Sequence, residues 1–267
     1  NRWNFKLKEI NKLWIALPVY NEGISVEKLY SSLLITLKKN YNQFEIVICD
    51  DGSDDESASF INSLKDTKDC HIIQHKFNRG LAESVRDIFE YVSENSDDND
   101  LLIRMDGDAT HNPKYLKPLT DKALEGFDVV VAKRLISNDK NLSFVRRAYS
   151  FFGRYFIRVF FKLPKLSEYT GGFRCYKTSK LKEALNFYGN SFLQLKSFGF
   201  VCTFEKLVKL HLIGSNFAEV PFELEYDKKV ASSKMIPWIT ILGYILVVPL
   251  VYWPRTGWSA RTRMYRK

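Results

Sequence analysis

From Leu13 onward, short runs that are apolar almost throughout alternate with stretches whose apolar residues recur every three or four positions. LWIALPV (13–19), FEIVICD (44–50), CHIIQH (70–75), LLIRMD (101–106) and FDVVVAKR (127–134) are the strand-like runs. They are short, β-branched and nearly continuous in apolar residues, as strands covered on both faces are. Between them, ISVEKLYSSLLITLKK puts Leu29, Leu33 and Leu37 on one helical face, with Ser25 placed to cap it and Glu27 in the first turn. LAESVRDIFEYVSE does the same with Leu81, Val85, Ile88 and Val92. Strand–helix alternation predicts right-handed crossovers and an α/β fold, a Rossmann-like mainly parallel sheet flanked by helices. Such sheets bind ligands beyond the carboxyl ends of their strands.

After Arg134 the pattern changes. LSFVRRAYSFFGRYFIRVFFKLP (142–164) is crowded with phenylalanine and interleaved with Arg146, Arg147, Arg154, Arg158 and Lys162. It reads as an amphipathic interfacial helix over about 142–162, set against a core helix with solvated bases. MIPWITILGYILVVPLVYW (235–253) is uncharged and mostly apolar, interrupted by Pro237, Gly243 and Pro249. The expected division is a catalytic body over 1–234 and a membrane-associated apolar segment with a basic tail over 235–267. A single span would leave Arg255, Arg261, Arg263, Arg266 and Lys267 on the far side, against the positive-inside tendency. A re-entrant or in-plane segment with both ends cytosolic is therefore expected.

Composition narrows the setting. Hydrophobic residues make up 45% of the 267 and charged residues 27%, which excludes a disordered chain. The net charge of +9 points to an anionic partner: nucleic acid, a membrane surface or a phosphate-bearing substrate. Cys49, Cys70, Cys175 and Cys202 are far apart in sequence, with no C-x-x-C pair, and read as reduced thiols in a cytosolic setting. NRWNFKLKEINK has no signal-peptide core, so a body that is not secreted is expected. No G-x-G-x-x-G follows the first strand and no P-loop is present, which weakens dinucleotide and NTPase readings.

Three predicted strands end in polar clusters: Pro18-Val19-Tyr20-Asn21-Glu22, Asp50-Asp51-Gly52-Ser53 and Asp106-Gly107-Asp108. Each alone could be a plain turn or helix start. On one rim of a parallel sheet they make a candidate site. Asp106 and Asp108 would anchor a hard divalent ion, which takes oxygen ligands and keeps substrate phosphates in its shell. Tyr20, Glu22 and Asp50 or Asp51 are placed to hold the base and ribose of a nucleotide. Asp98-Asn99-Asp100, in the polar run SENSDDND, repeats the spacing without that context.

PVYNEG, CDDGSDD, MDGDATHNP and TGGFRCY, in this order and spacing, resemble a family 2 glycosyltransferase of GT-A fold, most nearly the polyprenyl-phosphate sugar synthases of the dolichyl-phosphate mannose synthase type. The likeness covers roughly residues 12 to 235. It implies that Pro18, Tyr20, Glu22, Asp50 or Asp51, and Gly107 bind the nucleotide, and that Asp106 and Asp108 bind a Mg²⁺ or Mn²⁺ diphosphate. Thr110 stands where some members have a metal-binding glutamine. Arg134 matches an arginine that meets the donor phosphates, and Lys228 and Lys234 fall in a mobile basic loop. Glu168, Thr170, Gly171, Gly172, Phe173 and Arg174 match an element near the acceptor, and Glu205 a helix glutamate facing the active site.

The resemblance implies a metal-dependent, inverting transfer of a sugar from a GDP- or UDP-linked donor to a polyprenyl phosphate, on the cytosolic membrane face. Asp106, Asp108, Arg134, Lys228 and Lys234 would stabilise the leaving diphosphate. Arg146, Arg147, Thr170, Gly172, Arg174 and Glu205 would meet the acceptor. Two alternatives stay open. One is a transferase acting on a saccharide or lipid hydroxyl, which needs a positioned base. The other is a basic nucleic-acid-binding module, supported only by charge and interleaved aromatics, with no recognisable binding motif.

Overall fold

The computed structural model describes residues 10–135, 157, 159–161, 163, 166–224, 237–253 and 255–265. β1 (Leu13–Val19), β2 (Phe44–Asp50), β3 (Cys70–Gln74), β4 (Leu101–Arg104), β5 (Val129–Arg134), β6 (Arg174–Lys177) and β7 (Phe217–Phe222) form one seven-stranded sheet in the order β3-β2-β1-β4-β6-β5-β7. β6 runs antiparallel to both β4 and β5, while every other pairing is parallel. Six strands therefore end on the same rim. β6, running the other way, starts there, so the segment leading into it, 168–173, also reaches that rim.

The five strands expected from apolar runs are present, with β4 ending at Arg104 and β5 beginning at Val129. β6 and β7 are additions that the pattern does not announce. RCYK is short and half polar, and FAEVPF carries a proline, which suits the edge position it occupies.

Alternation along β1 divides the core. Trp14 and Ala16 join one cluster with Val47 and Cys49 of β2, while Leu13, Ile15 and Leu17 join the other with Ile46 and Ile48. The second cluster is closed by α1 (Ser25–Asn40), α2 (Glu56–Ser63) and α4 (Leu116–Leu124). The first is closed by α3 (Leu81–Asn95), α5 (Thr178–Tyr188), α6 (Val201–Leu212), α7 (Pro237–Tyr252) and α8 (Trp258–Tyr265). Ser25 does not cap α1. Ile24 holds the cap position, and Ser25 is the first helical residue, its hydroxyl buried without a hydrogen-bond partner. The four cysteines are free and buried.

α7 covers most of the long apolar stretch. Gly243, Val247 and Val251, spaced by four, turn inward, and Gly243 lets α7 approach Val201 and Phe198 so closely that a Cβ would fall 2.4 Å from Val201 Cγ2. Tyr244 meets Phe204 edge-to-face at 5.2 Å. Among the described residues no helix is long and apolar enough to cross a membrane. The 16 residues of α7 rise about 24 Å, short of a hydrocarbon core of about 30 Å. Of the expected interfacial helix, only the end is described. Ile157 and Phe161 are buried there, and Val159 and Phe160 are exposed. Arg146, Arg147, Arg154, Arg158, Lys162, Lys228 and Lys234 lie outside the described residues.

Candidate active site

β1 and β2 pair in register to their last residues, Val19 with Asp50, so the loops leaving them start side by side. Asn21, at a left-handed φ of 48°, donates from its backbone to Ser53 Oγ at 3.0 Å and exchanges side-chain bonds with Asp54. Gly23 N donates to Asp55 Oδ2 at 2.8 Å. Tyr20 and Glu22 stand half-buried at this junction. Gly107 closes against it from β4's side. A Cβ there would lie 3.0 Å from Val19 Cγ2, 3.3 Å from Pro18 O and 3.7 Å from Glu22 Cγ. The structure thus brings together Pro18, Glu22 and the Asp106-Gly107-Asp108 segment, as the sequence predicts.

Asp50 and Asp51, of which one or the other is expected to hold the nucleotide, are both engaged within the fold. Asp50 is fully buried, accepting Ser53 N at 3.0 Å and Gln74 Nε2 at 3.5 Å. Asp51 accepts His75 Nδ1 at 2.6 Å, Arg79 N at 2.8 Å and Gly80 N at 2.8 Å. His75 Nε2 in turn meets Asp87 Oδ2 at 2.9 Å. Both carboxylates shape the turns beyond β2 and β3. These turns line a pocket of about 520 Å³, formed by Gly52, Ser53, Asp54, Gln74, His75 and Lys76. It opens at the β2–β3 end of the rim, apart from Asp106 and Asp108.

Past β4, Asp106 takes 2.5 Å from Arg104 Nη2 on Oδ1, while its backbone N–H donates to His111 Nδ1 at 3.1 Å. His111 stacks on Phe173 with ring centroids 4.7 Å apart. Burial, ahead of the nearby charges, pushes its pKa down, so the ring is neutral and, with Nδ1 accepting, carries its proton on Nε2. Asp108 is buried, and its Oδ1 accepts both Thr110 N at 3.2 Å and Thr110 Oγ1 at 2.7 Å. Ala109 between them sits at φ 59°, a strained value for a residue with a Cβ. Thr110, expected to complete a metal shell, is engaged in orienting Asp108.

Among the described residues no group of three or more His, Cys, Asp or Glu could hold a metal by itself. The donor chemistry still fits Mg²⁺ or Mn²⁺. Asp106 and Asp108 give hard oxygens, and these ions ordinarily take one or two carboxylates and complete the shell with water and substrate phosphates. The lookalike pair is structural. Asp100 Oδ2 accepts Trp14 Nε1 at 3.0 Å and Asp97 N at 2.9 Å, and exposed Asp98 meets Lys182.

Arg134 ends β5, but β6 intervenes between it and β4. Its Nε donates to Glu168 Oε2 at 2.8 Å, and its Nη2 reaches Thr170 Oγ1 at 3.4 Å. Burial alone would raise the Glu168 pKa. The Arg134 hydrogen bond and charge, with Thr170's hydroxyl and amide, outweigh it and hold the carboxyl at about 2.

Two residues expected at the acceptor are internal instead. Arg174 is fully buried and donates to Thr203 O at 2.8 Å and Tyr169 O at 2.7 Å, fastening α6 and the 168–173 segment to β6. Glu205 is also fully buried, accepting Gln194 N, Leu195 N and Lys209 Nζ. Neither presents a polar atom to a ligand here. Arg104 and His111 carry the closest support of Asp106, and the spacing of the aspartates does not reveal them. The available signal was an arginine inside an otherwise apolar strand.

The model of glycosyl transferase family 2 matches residues 14–185, which include all of these strand exits. Undecaprenyl-phosphate 4-deoxy-4-formamido-L-arabinose transferase of Proteus mirabilis (strain HI4320) is 32% identical over 127 residues, 48% of this chain and 38% of its own length. The enzyme of the same name from Enterobacter sp. (strain 638) is 32% identical over 145 residues, 54% of this chain and 42% of its own. The chain thus spans about two fifths of the length of these relatives. Glucosyl-3-phosphoglycerate synthase of Mycobacterium tuberculosis, solved with Mn²⁺, UDP-glucose and phosphoglyceric acid, shares the fold at a TM-score of 0.60 and 14% identity, over 90% of this chain and 78% of its own. With the family model covering well over half of its residues and the ordered strand exits folded onto one rim, the chain belongs to glycosyl transferase family 2.

Proposed function

We propose that the protein transfers a sugar from a nucleotide-diphosphate donor to a polyprenyl phosphate at a membrane surface. The observation that carries the donor half is the packing of Gly107 onto Pro18, Val19 and Glu22, which sets two carboxylates beside the β1 exit. The acceptor half is supported by the two relatives, named for undecaprenyl phosphate. It is supported also by the outer face of α7, where Leu242, Ile245 and Tyr252 are exposed, and by exposed Trp253 just beyond it. Val159 and Phe160 are exposed as well, and Tyr252 Oη bonds Phe160 O, joining the two apolar surfaces. Exposed Arg255, Arg261 and Arg263 follow α7, suited to anionic headgroups. On this reading α7 lies in the plane of the membrane, with the catalytic body on the cytosolic face.

Chemically, a phosphate oxygen of the acceptor attacks the anomeric carbon as the bond to the donor diphosphate breaks. The nucleoside diphosphate leaves with the bonding pair, and a single displacement inverts the anomeric configuration. The acceptor is already anionic near neutral pH and needs no general base, in keeping with Glu205 being buried and engaged. Asp106 and Asp108 would hold Mg²⁺ or Mn²⁺, which when bound neutralises the leaving diphosphate. Arg134, fixed by Glu168, adds a positive charge from the next parallel strand end.

Acceptor choice tests the reading. With a labelled sugar nucleotide, undecaprenyl phosphate should give a lipid-linked sugar, whereas undecaprenol should not. Labelling of the alcohol or of a saccharide in its place would favour the hydroxyl-acceptor alternative.

A further inference from the structure

Arg104 and Arg174 are directly opposed across the β4–β6 pairing, so two like charges share one buried face. Such a pair is unfavourable unless each charge is answered. Arg174 is answered by two backbone carbonyls, with only its Nε lacking a partner among the described residues. Among the described residues Arg104, 1% exposed, is answered by Asp106 alone, and its Nε and Nη1 have no hydrogen-bond partner. Replacing buried charges by apolar side chains is often neutral or stabilising, so stability alone is a weak reason for the arginine.

Its surroundings give a further reason. A Cβ on Gly172 would fall 1.5 Å from Arg104 Nη1 and 2.5 Å from its Cζ, so the guanidinium lies over the bare backbone of Gly172. The next residue, Phe173, stacks on His111, whose Nδ1 accepts the Asp106 backbone N–H. Consecutive residues of one loop thus bear on the same aspartate twice, on its carboxylate through Arg104 and on its backbone through His111.

We propose that Arg104 is a positioning residue for Asp106 and that Gly172 is its seat, so that the segment leading into β6 sets the geometry of the metal–diphosphate carboxylate. The proposal rests on the reading of Asp106 and Asp108 as that carboxylate pair. Arg104 holds Oδ1, while Oδ2 stands 3.7 Å from His111 Nε2. Gly172→Ala adds one methyl, without removing any charge, at a position whose φ is unstrained. It must push the guanidinium aside and with it Asp106.

The test is Mn²⁺ affinity with UDP and, separately, with GDP, read from the electron paramagnetic resonance of free Mn²⁺. It compares wild type, Arg104→Gln, Arg104→Lys, Gly172→Ala, the Gln/Ala double variant and Asp108→Ala. Losses of outer-sphere support typically cost 10- to 100-fold in metal affinity, so Arg104→Gln and Gly172→Ala should each weaken binding about tenfold or more. Arg104→Lys should recover part of it. Because Gly172 acts through Arg104, the double variant should bind no worse than the weaker single one. Unchanged affinity in Arg104→Gln or Gly172→Ala, or additive losses in the double variant, would overturn the proposal while leaving the metal reading intact. If wild type binds no Mn²⁺ with either nucleotide, or Asp108→Ala binds as wild type does, the metal reading falls and the proposal with it. Should Arg104→Gln fail to fold, Gly172→Ala alone decides.

Discussion

Arg134 Nε lies 2.8 Å from Glu168 Oε2, joining the end of β5 to the loop that enters β6 across 34 positions of sequence. The arginine that would meet donor phosphates is therefore held by the segment expected to serve the acceptor. Glu168 also binds Thr170 through its amide and hydroxyl and Gly171 through its amide, so one carboxylate organises both sides of the site.

This pair predicts a pH signature. Glu168 titrates at about 2 in the fold and near 4.5 otherwise, so its stabilisation is complete above 4.5 and fades as pH falls towards 2. Glu168→Gln should cost about 1–2 kcal/mol near pH 6, a figure discounted because Arg134 is 39% exposed. The gap in melting temperature between wild type and variant should close between pH 4.5 and 2. A gap independent of pH would show that the carboxylate charge contributes nothing.

Gly52 separates two kinds of glycine requirement. Its φ is 76°, and a Cβ would stand 2.8 Å from the Phe77 carbonyl carbon and 2.9 Å from Asn78 N, both immobile backbone atoms. Gly126 has φ 115° but open space around its absent Cβ. Gly52→Ala should therefore destabilise by about 2–4 kcal/mol and Gly126→Ala by about 1 kcal/mol. Equal shifts in thermal or denaturant melts would remove the contact between the β2 and β3 exits as the cause.

The outer face of α7 gives a third prediction. Leu242 and Ile245 are 44% and 53% exposed, so aspartate at either position should leave the fold unchanged. Each change removes about 1.5–3 kcal/mol of apolar transfer into lipid, and partition onto anionic vesicles should fall about tenfold or more. Val247→Asp, by contrast, buries a charge and should unfold the protein. Vesicle binding by Ile245→Asp equal to wild type would take α7 out of the membrane interface.

Much of the fold is legible because a parallel sheet declares itself. Runs such as LWIALPV and FEIVICD are apolar on both faces, and β1 and β2 start and end where those runs do. β6 is not legible, since RCYK owes its place to the neighbours it inserts between, and that insertion puts Glu168 rather than β4 beside Arg134. The strand-end aspartates are legible as a rim, but the engagement of their oxygens is not. Asp51 and Arg174 look like ligands in sequence, yet Asp51 is taken by His75 and two backbone amides and Arg174 by two backbone carbonyls. Motif spacing records which side chains a turn brings together, and burial decides which of them still face outward.

The most direct test of the central claim is a panel of labelled UDP- and GDP-linked sugars offered to the protein with undecaprenyl phosphate and Mn²⁺ or Mg²⁺. Wild type should give a lipid-linked sugar from one of these donors. Asp108→Ala, melting as a folded protein, should give less than about a thousandth as much, a loss of about 4 kcal/mol of transition-state stabilisation. No lipid-linked product from any donor, or undiminished product from Asp108→Ala, would contradict the account.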